Sequence, residues 1–475
     1  MTVATSHELK RSSVGFLGSL YNSLAGQAPA YSIAGGAALI MGSAKAAAPL
    51  AMLITLLGVL AIVYSIFITA RKYPHAASFY AYVTNTINSR VGFFNGIVYT
   101  IFYSIVGVGS VAIAFAYLGV EGIYAVTGYQ INPLILLPIP VVLALIPAVL
   151  GIRPSIRTEV SLTSIEIGVL LIFVVLTFVT NSSKLSVLPF TINGTYELTL
   201  LGALSALSGG LVYAITYFMG FEVSTQLSEE VKDPRRNVPV STLWATVLMG
   251  ILYVLVTYAI LINIGYSQYA VENFVNEASG MGVNPVYTLI AHYLGELGLV
   301  LFAVSVIISV FSCYLATLNA TARMLYGMAR DGLLPTWLSD THPKYGSPHK
   351  ALYFSTAISL LTIIMAYLAS YLSGYIKPIE LTYNAMQYAY AIDSLYYVIS
   401  LILVAAGALM IAKLRGKVII AIGSTLLAIT LYYSVVNLSL FYILATSIVL
   451  VIIVEYTILR DKLSRIKQSV CLNCT

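Results

Sequence analysis

Charge is scarce in this sequence. Only 9% of its 475 residues are Asp, Glu, Lys or Arg, while 59% are hydrophobic. Soluble globular domains carry about 25% charged residues, so that class is excluded and the composition is that of a polytopic membrane protein. Cysteine is nearly absent too. Cys313, Cys471 and Cys474 cannot build a disulfide framework. Cys471 and Cys474 form a CxxC that is either a metal or redox pair or part of a dispensable tail. No HExxH, GxSxG or P-loop occurs, and no His/Cys cluster falls in the apolar runs, so no enzymatic centre and no cofactor are expected. The net charge of +6 is scattered and not gathered into a basic arm, which excludes a nucleic-acid role. No Pro- or Gly/Ser-rich linker divides the chain, and no soluble domain or obligatory protein partner is evident. The longest polar stretches are 266–296, with room for a short surface helix, and 329–350. No cleavable signal peptide is evident, because a polar segment of fifteen residues is followed directly by a full-length apolar run.

A membrane-spanning helix needs about 20 mostly apolar residues. Twelve runs qualify: 16–42, 48–70, 91–119, 132–151, 159–180, 202–225, 238–265, 297–328, 351–374, 382–412, 417–434 and 437–459. Basic residues test the count, because cytoplasmic loops collect Lys and Arg. With both termini cytoplasmic (tails 1–15 and 460–475), all but three of the 24 basic residues fall inside. Only Lys45, Lys184 and Lys377 lie outside. That asymmetry implies an even number of helices and a multi-pass protein of the cell membrane.

Two runs are interrupted. The first contains NSLAGQAPAYSIAGG (22–36), where Pro29 lacks an amide proton and disfavours helix in the residue before it. The sixth contains YFMGFE (217–222). Broken backbone is tolerated at membrane depth only where protein or a wet cavity satisfies it. Paired breaks in corresponding positions of two halves point to a transporter's binding site. Here they lie five helices apart, which divides the chain into repeats 16–180 and 202–412, with 417–459 added. The alternative is that Gly26 and Gly220 only let helices pack closely. At such breaks a helix N-terminus attracts a carboxylate and free carbonyls attract an ammonium or a cation. A zwitterion carrying both groups on one carbon, an α-amino acid, fits between them.

Three acids lie deep: Glu166 in the fifth run, Glu222 at the sixth-run break and Asp393 in the tenth. An ionisable group at the bilayer centre costs about 2.5–3.5 kcal/mol on insertion scales. Each is either a proton-carrying site or a neutral, hydrogen-bonded structural acid. Glu159, Glu296 and Glu455 lie near run ends and are expected to be solvated. His75 and His292 are expected to be unremarkable.

Four stretches together resemble the amino acid–polyamine–organocation (APC) superfamily of permeases. FMGFEVSTQLSEEVKDPRRNVP is similar to its sixth-helix signature. RKYPHAASFYAYVTNTINSRVGFFNG (71–96) resembles its loop after helix 2, and LNATARMLYGMARDGLLPTWL (318–338) the end of its helix 8. NSLAGQAPAYSIAGG matches its first helix in position and glycine content.

The resemblance implies an all-α integral membrane protein of twelve helices. Its fold would be a LeuT-type 5+5 inverted repeat with helices 1 and 6 broken and two extra C-terminal helices. It further implies that backbone at Ser23, Leu24, Ala25, Thr216 and Met219 holds a substrate ammonium beside Gly220. Amides of Gly26, Gln27 and Ala28 would hold the carboxylate. Phe218 would be an aromatic lid, and Phe102, Tyr103 and Thr317 would line the side-chain pocket. The sequence departs from the family in two places. The first break reads Ala25-Gly26-Gln27 where the family often has Gly-Ser/Thr-Gly. Glu166 stands near the position where several proton-coupled relatives carry a helix-5 lysine. Ser312 and Cys313 lie where sodium-coupled relatives place hydroxyl ligands, and a thiol is a poor sodium ligand. The expectation is therefore alternating-access symport of neutral amino acids with protons rather than sodium, with Glu222, Glu166 and Asp393 as coupling candidates and Ser312 as a cation-site alternative. The alternatives are an amino acid exchanger, a cationic amino acid or polyamine transporter, or a transporter-like sensor or channel.

Overall fold

The computed structural model describes residues 8–279 and 283–436. The expected twelfth span and the CxxC lie outside the described residues. The helices are α1 Phe16–Gln27, α2 Pro29–Ala44, α3 Ala48–Lys72, α4 Ser78–Thr86, α5 Ser89–Ile97, α6 Val106–Thr127, α7 Pro138–Val149, α8 Ile152–Thr180, α9 Leu200–Ala214, α10 Pro234–Ile264, α11 Gln268–Ser279, α12 Pro285–Arg330, α13 His349–Leu372, α14 Pro378–Ile411 and α15 Leu414–Val436. Among the described residues the only β-type pairing is a parallel bridge between Val14 and Val231.

The described residues contain nine stretches long and apolar enough to cross a membrane. The chain is a multi-span membrane protein. The number nine differs from the sequence count for identifiable reasons. Phe16–Lys72 is continuous enough to register once, although it holds the first two runs. The expected fourth run is only a short apolar helix, because α7 is 12 residues long and begins after a separate turn at Pro133–Ile135. The eighth run starts earlier than expected: α12 continues from Pro285 through a kink at Gly295, whose φ of 61° favours glycine. The polar stretch 266–296 carries α11.

The core is built by α3 along α10 and by α6 and α8 along α12. Among the largest fully buried side chains are Arg323, Tyr80, Tyr99, Tyr253 and Tyr397. Arg323 pairs with buried Glu230 and donates to the Asn319 carbonyl at 3.0 Å. The Glu230 carbonyl in turn accepts from the amides of Ser13 and Val14, at 2.7 and 3.0 Å. Beside this pair, Arg330 donates to both oxygens of Glu229, at 2.6 and 2.7 Å. Burial opposes charge on Glu229, but the Arg330 guanidinium prevails and holds its carboxyl at about 2. His75 is more than the unremarkable end residue the sequence suggested. It is 5% exposed, with Nε2 3.0 Å from Arg330 and 3.4 Å from Asp331. These contacts fasten the segment after the sixth span to the end of α12.

Candidate functional site

The first break follows directly from Pro29. Helix α1 ends at Gln27, Ala28 takes a left-handed conformation (φ 46°, ψ 70°), and Pro29 opens α2 where its missing N–H is no loss. The Ala28 amide closes α1 on the carbonyls of Leu24 and Ala25, at 3.3 and 3.2 Å. The amides of Gly26, Gln27 and Ala28, expected to face a carboxylate, therefore lie in or against the last turn of α1. The first free amides of α2 are those of Ala30 and Tyr31. They are taken by the protein itself: Ala30 donates to Glu166 Oε2 at 3.3 Å and Tyr31 to Ser309 Oγ at 3.2 Å. Glu166 is thus the anion at a helix N-terminus, and its Oε1 has no hydrogen-bond partner among the described residues.

The sixth break has a different form. After α9 comes a single 3-10 turn, Ile215–Phe218, then Met219 at ψ 135° and Gly220 at φ 91°. Only another 3-10 turn, Val223–Leu227, follows. No α-helix starts at Glu222, so its expected stabilisation by an inner half-helix dipole is replaced by side-chain donors. Oε1 accepts from Tyr99 at 2.9 Å and Tyr103 at 3.1 Å, and Oε2 accepts from Tyr397 at 2.7 Å. Tyr99 and Tyr103 come from Val98–Ile105, a π-helical stretch of the kind that often marks functional sites.

The two breaks press together. A Cβ on Gly26 would lie 2.6 Å from the Gly220 carbonyl oxygen, and one on Gly220 would lie 2.6 Å from the Gly26 carbonyl carbon. Only glycine at both positions permits this approach. Beside the contact lies a cavity of about 40 Å³, enough for a few waters. Of the expected site residues, Gly26, Gln27, Ala28, Tyr103, Thr216, Met219, Gly220, Thr317 and Asp393 line it. Its wall also contains Tyr31, Ser110, Tyr390 and Cys313, whose thiol donates to the Gly26 carbonyl at 3.3 Å.

Other expected residues do not line this cavity. Ser23 donates to Ser224 at 2.8 Å, while Leu24 and Ala25 are packed in the core. Phe102 stacks on Tyr396, with centroids 4.6 Å apart. Phe218, the expected lid, is 1% exposed and packs edge-on against Tyr253 of α10. Its ring is held by neighbouring helices and is not over the cavity. Ser312 pairs with Thr163 at 3.2 Å. Asp393, which does line the cavity, accepts from Ser110 at 2.7 Å and from Ser394 at 3.2 Å. Glu159 is not solvated: it is fully buried and accepts from Asn22 at 2.9 Å. Tyr390 was missed, although it stands three residues before Asp393 and shares its helix face. Nothing in the sequence singled out Ser110, which reaches the site from α6.

The two breaks are thus apposed through paired glycines, with a small cavity beside them. The amino acid permease family model matches residues 20–468. The chain belongs to the amino acid permease family. Among curated relatives, the methylthioribose transporter of Bacillus subtilis is 28% identical over 157 residues, 32% of either chain. The branched-chain amino acid permease BcaP of the same organism is 27% identical over 145 residues, 30% of this chain and 29% of that one. The chain thus spans about a third of the length of these relatives. The fold is that of a solved manganese transporter from Eremococcus coleocola. The TM-score is 0.56 at 13% identity, covering 98% of this chain and 99% of the other. Among the described residues, no group of three or more His, Cys, Asp or Glu is placed to hold a metal ion. The family and its relatives are transporters and not enzymes.

Proposed function

We propose that this family member carries amino acids across the cell membrane by alternating access. The observation that supports the reading is the backbone contact of the two breaks, Gly26 against Gly220, at the wall of a cavity. At a volume of about 40 Å³ the cavity is too small for an amino acid, so loading requires its walls to move apart. The proposed substrate shell is Gly26, Gln27, Ala28, Tyr103, Thr216, Met219, Gly220 and Thr317, with Ser23, Leu24, Ala25, Phe102 and Phe218 supporting it from behind. The proposed frame is twelve spans in a 5+5 inverted repeat, 16–180 and 202–412, with 417–459 added and both termini cytoplasmic.

The apolar and phenolic walls, and the similarity to a branched-chain amino acid permease, favour neutral side chains. Glu166 is the favoured proton carrier, because a proton has room on its unpartnered oxygen while the other oxygen keeps the Ala30 amide. Sodium at Ser312 is disfavoured, since that hydroxyl already pairs with Thr163. Purified protein in proteoliposomes tests the reading with a panel of radiolabelled amino acids. Accumulation of neutral amino acids driven by an inward proton gradient is expected. Flux only against internal amino acid would make it an exchanger, and no flux for any amino acid would overturn transport itself.

A further inference from the structure

A second cavity, of about 150 Å³, adjoins the first and shares Tyr31, Ser32, Thr216 and Tyr390 with it. It lies toward the C-terminal end of α2, and part of its wall reaches the protein surface, as Tyr383 is 38% exposed. Its one acid is Glu121 of α6. The Oε2 atom of Glu121 is buried and has no hydrogen-bond partner among the described residues. The hydroxyl of Tyr217, in the same wall, is also buried and unpartnered. Glu222, by contrast, has both oxygens taken by tyrosine hydroxyls. An acceptor left open costs about 1–3 kcal/mol and is retained most simply when something else supplies the donor.

The surroundings indicate what that donor is. Tyr117 lies one helical turn before Glu121 and faces the same way. Its ring meets that of Tyr383 at 5.2 Å between centroids, at an angle of 50°. Aromatic faces beside one carboxylate suit an organic ammonium, which gains from the ring quadrupole and from the charge together. They do not suit a hard metal cation, which takes about six or more oxygen ligands.

We propose that this vestibule is an outer binding site for a primary ammonium group, with Glu121 as its counter-ion and Tyr117 and Tyr383 as its walls. It rests on the reading that amine-bearing molecules pass through this chain, and it deepens that reading by giving their ammonium group a first docking point before the breaks. An amine without a carboxylate occupies this site without satisfying the central one.

The test uses the full chain purified in detergent and isothermal titration with n-butylammonium chloride, with sodium butyrate as the control. Butylammonium binds and butyrate does not. Glu121→Gln weakens butylammonium binding by about tenfold or more, and Tyr383→Leu by about threefold. Glu121→Asp, which keeps the charge on a shorter arm, falls between wild type and Glu121→Gln. An unliganded melting temperature for each variant near that of wild type separates lost binding from lost folding. No butylammonium binding to the wild type, or equal affinity in a folded Glu121→Gln, overturns the proposal. Because the titration needs no transport, a failure of amino acid flux in proteoliposomes strikes the functional reading and leaves this result to be judged by itself.

Discussion

The two helix breaks solve one problem in opposite ways. At the first, the chain leaves backbone amides open and a side chain from another helix fills them: Glu166 on Ala30, with one carboxyl oxygen to spare. At the sixth, the break supplies the carboxylate itself, and three tyrosines from α14 and the π-helical stretch before α6 saturate it. The segment beyond the sixth break is further held by Glu229–Arg330 and Glu230–Arg323. A group with every acceptor satisfied resists change, whereas a group with one oxygen open can gain or lose a proton without dismantling its neighbours. On the proposed reading this difference separates two acids that look equivalent in sequence, with Glu222 as the structural anchor and Glu166 as the proton carrier.

The comparison breaks most readily at Glu222. Glu222→Ala strands three buried tyrosine hydroxyls and leaves a hole, for a loss of about 3–5 kcal/mol in stability. Thermal unfolding in detergent measures it, and a shift too small to resolve would remove Glu222 from its anchoring role. Next in size is Gly220→Ala. Its Cβ meets the Gly26 backbone and its φ of 91° is unfavourable for alanine, so a loss of about 2–3 kcal/mol is expected, together with loss of uptake. Normal uptake by this variant would show that the breaks need not touch.

The clamp after the sixth break sharpens the contrast through pH. Glu229 sits at about 2 in the folded protein against an ordinary 4.5. A depressed carboxyl stabilises the fold above the unfolded value and ceases to do so as pH falls through the folded one. Its contribution, about 3 kcal/mol, should therefore fade between pH 4.5 and 2. Glu229→Gln should abolish that part of the stability–pH profile; an unchanged profile would assign acid sensitivity elsewhere. The smallest stability effect is expected for Glu166→Gln, below about 1 kcal/mol, because the amide oxygen still accepts from Ala30. Its signature is instead a loss of pH dependence in uptake. The reverse pattern, a large stability loss with unchanged pH dependence, would exchange the roles of the two acids.

Much of the frame was legible from one dimension. Long apolar runs become helices because lipid leaves the backbone no other partners, and Pro29 and Gly220 mark breaks because their backbone constraints are local. Helix ends were harder to read, because the prolines before α7 and Gly295 within α12 place them away from the ends of the apolar runs. Phe218 stands beside the break in the sequence, and only the fold shows its ring packed against Tyr253.

Sequence alone determined that this chain spans a membrane many times, that its first and sixth spans are interrupted, and that a few acids lie deep among apolar residues. Tertiary structure decided which partners those acids meet, because their donors come from distant helices: Tyr99, Tyr103 and Tyr397 to Glu222, the Ala30 amide to Glu166, Asn22 to Glu159, and no described donor to Glu121 Oε2. Composition counts charges. Only packing in three dimensions decides which of them are satisfied.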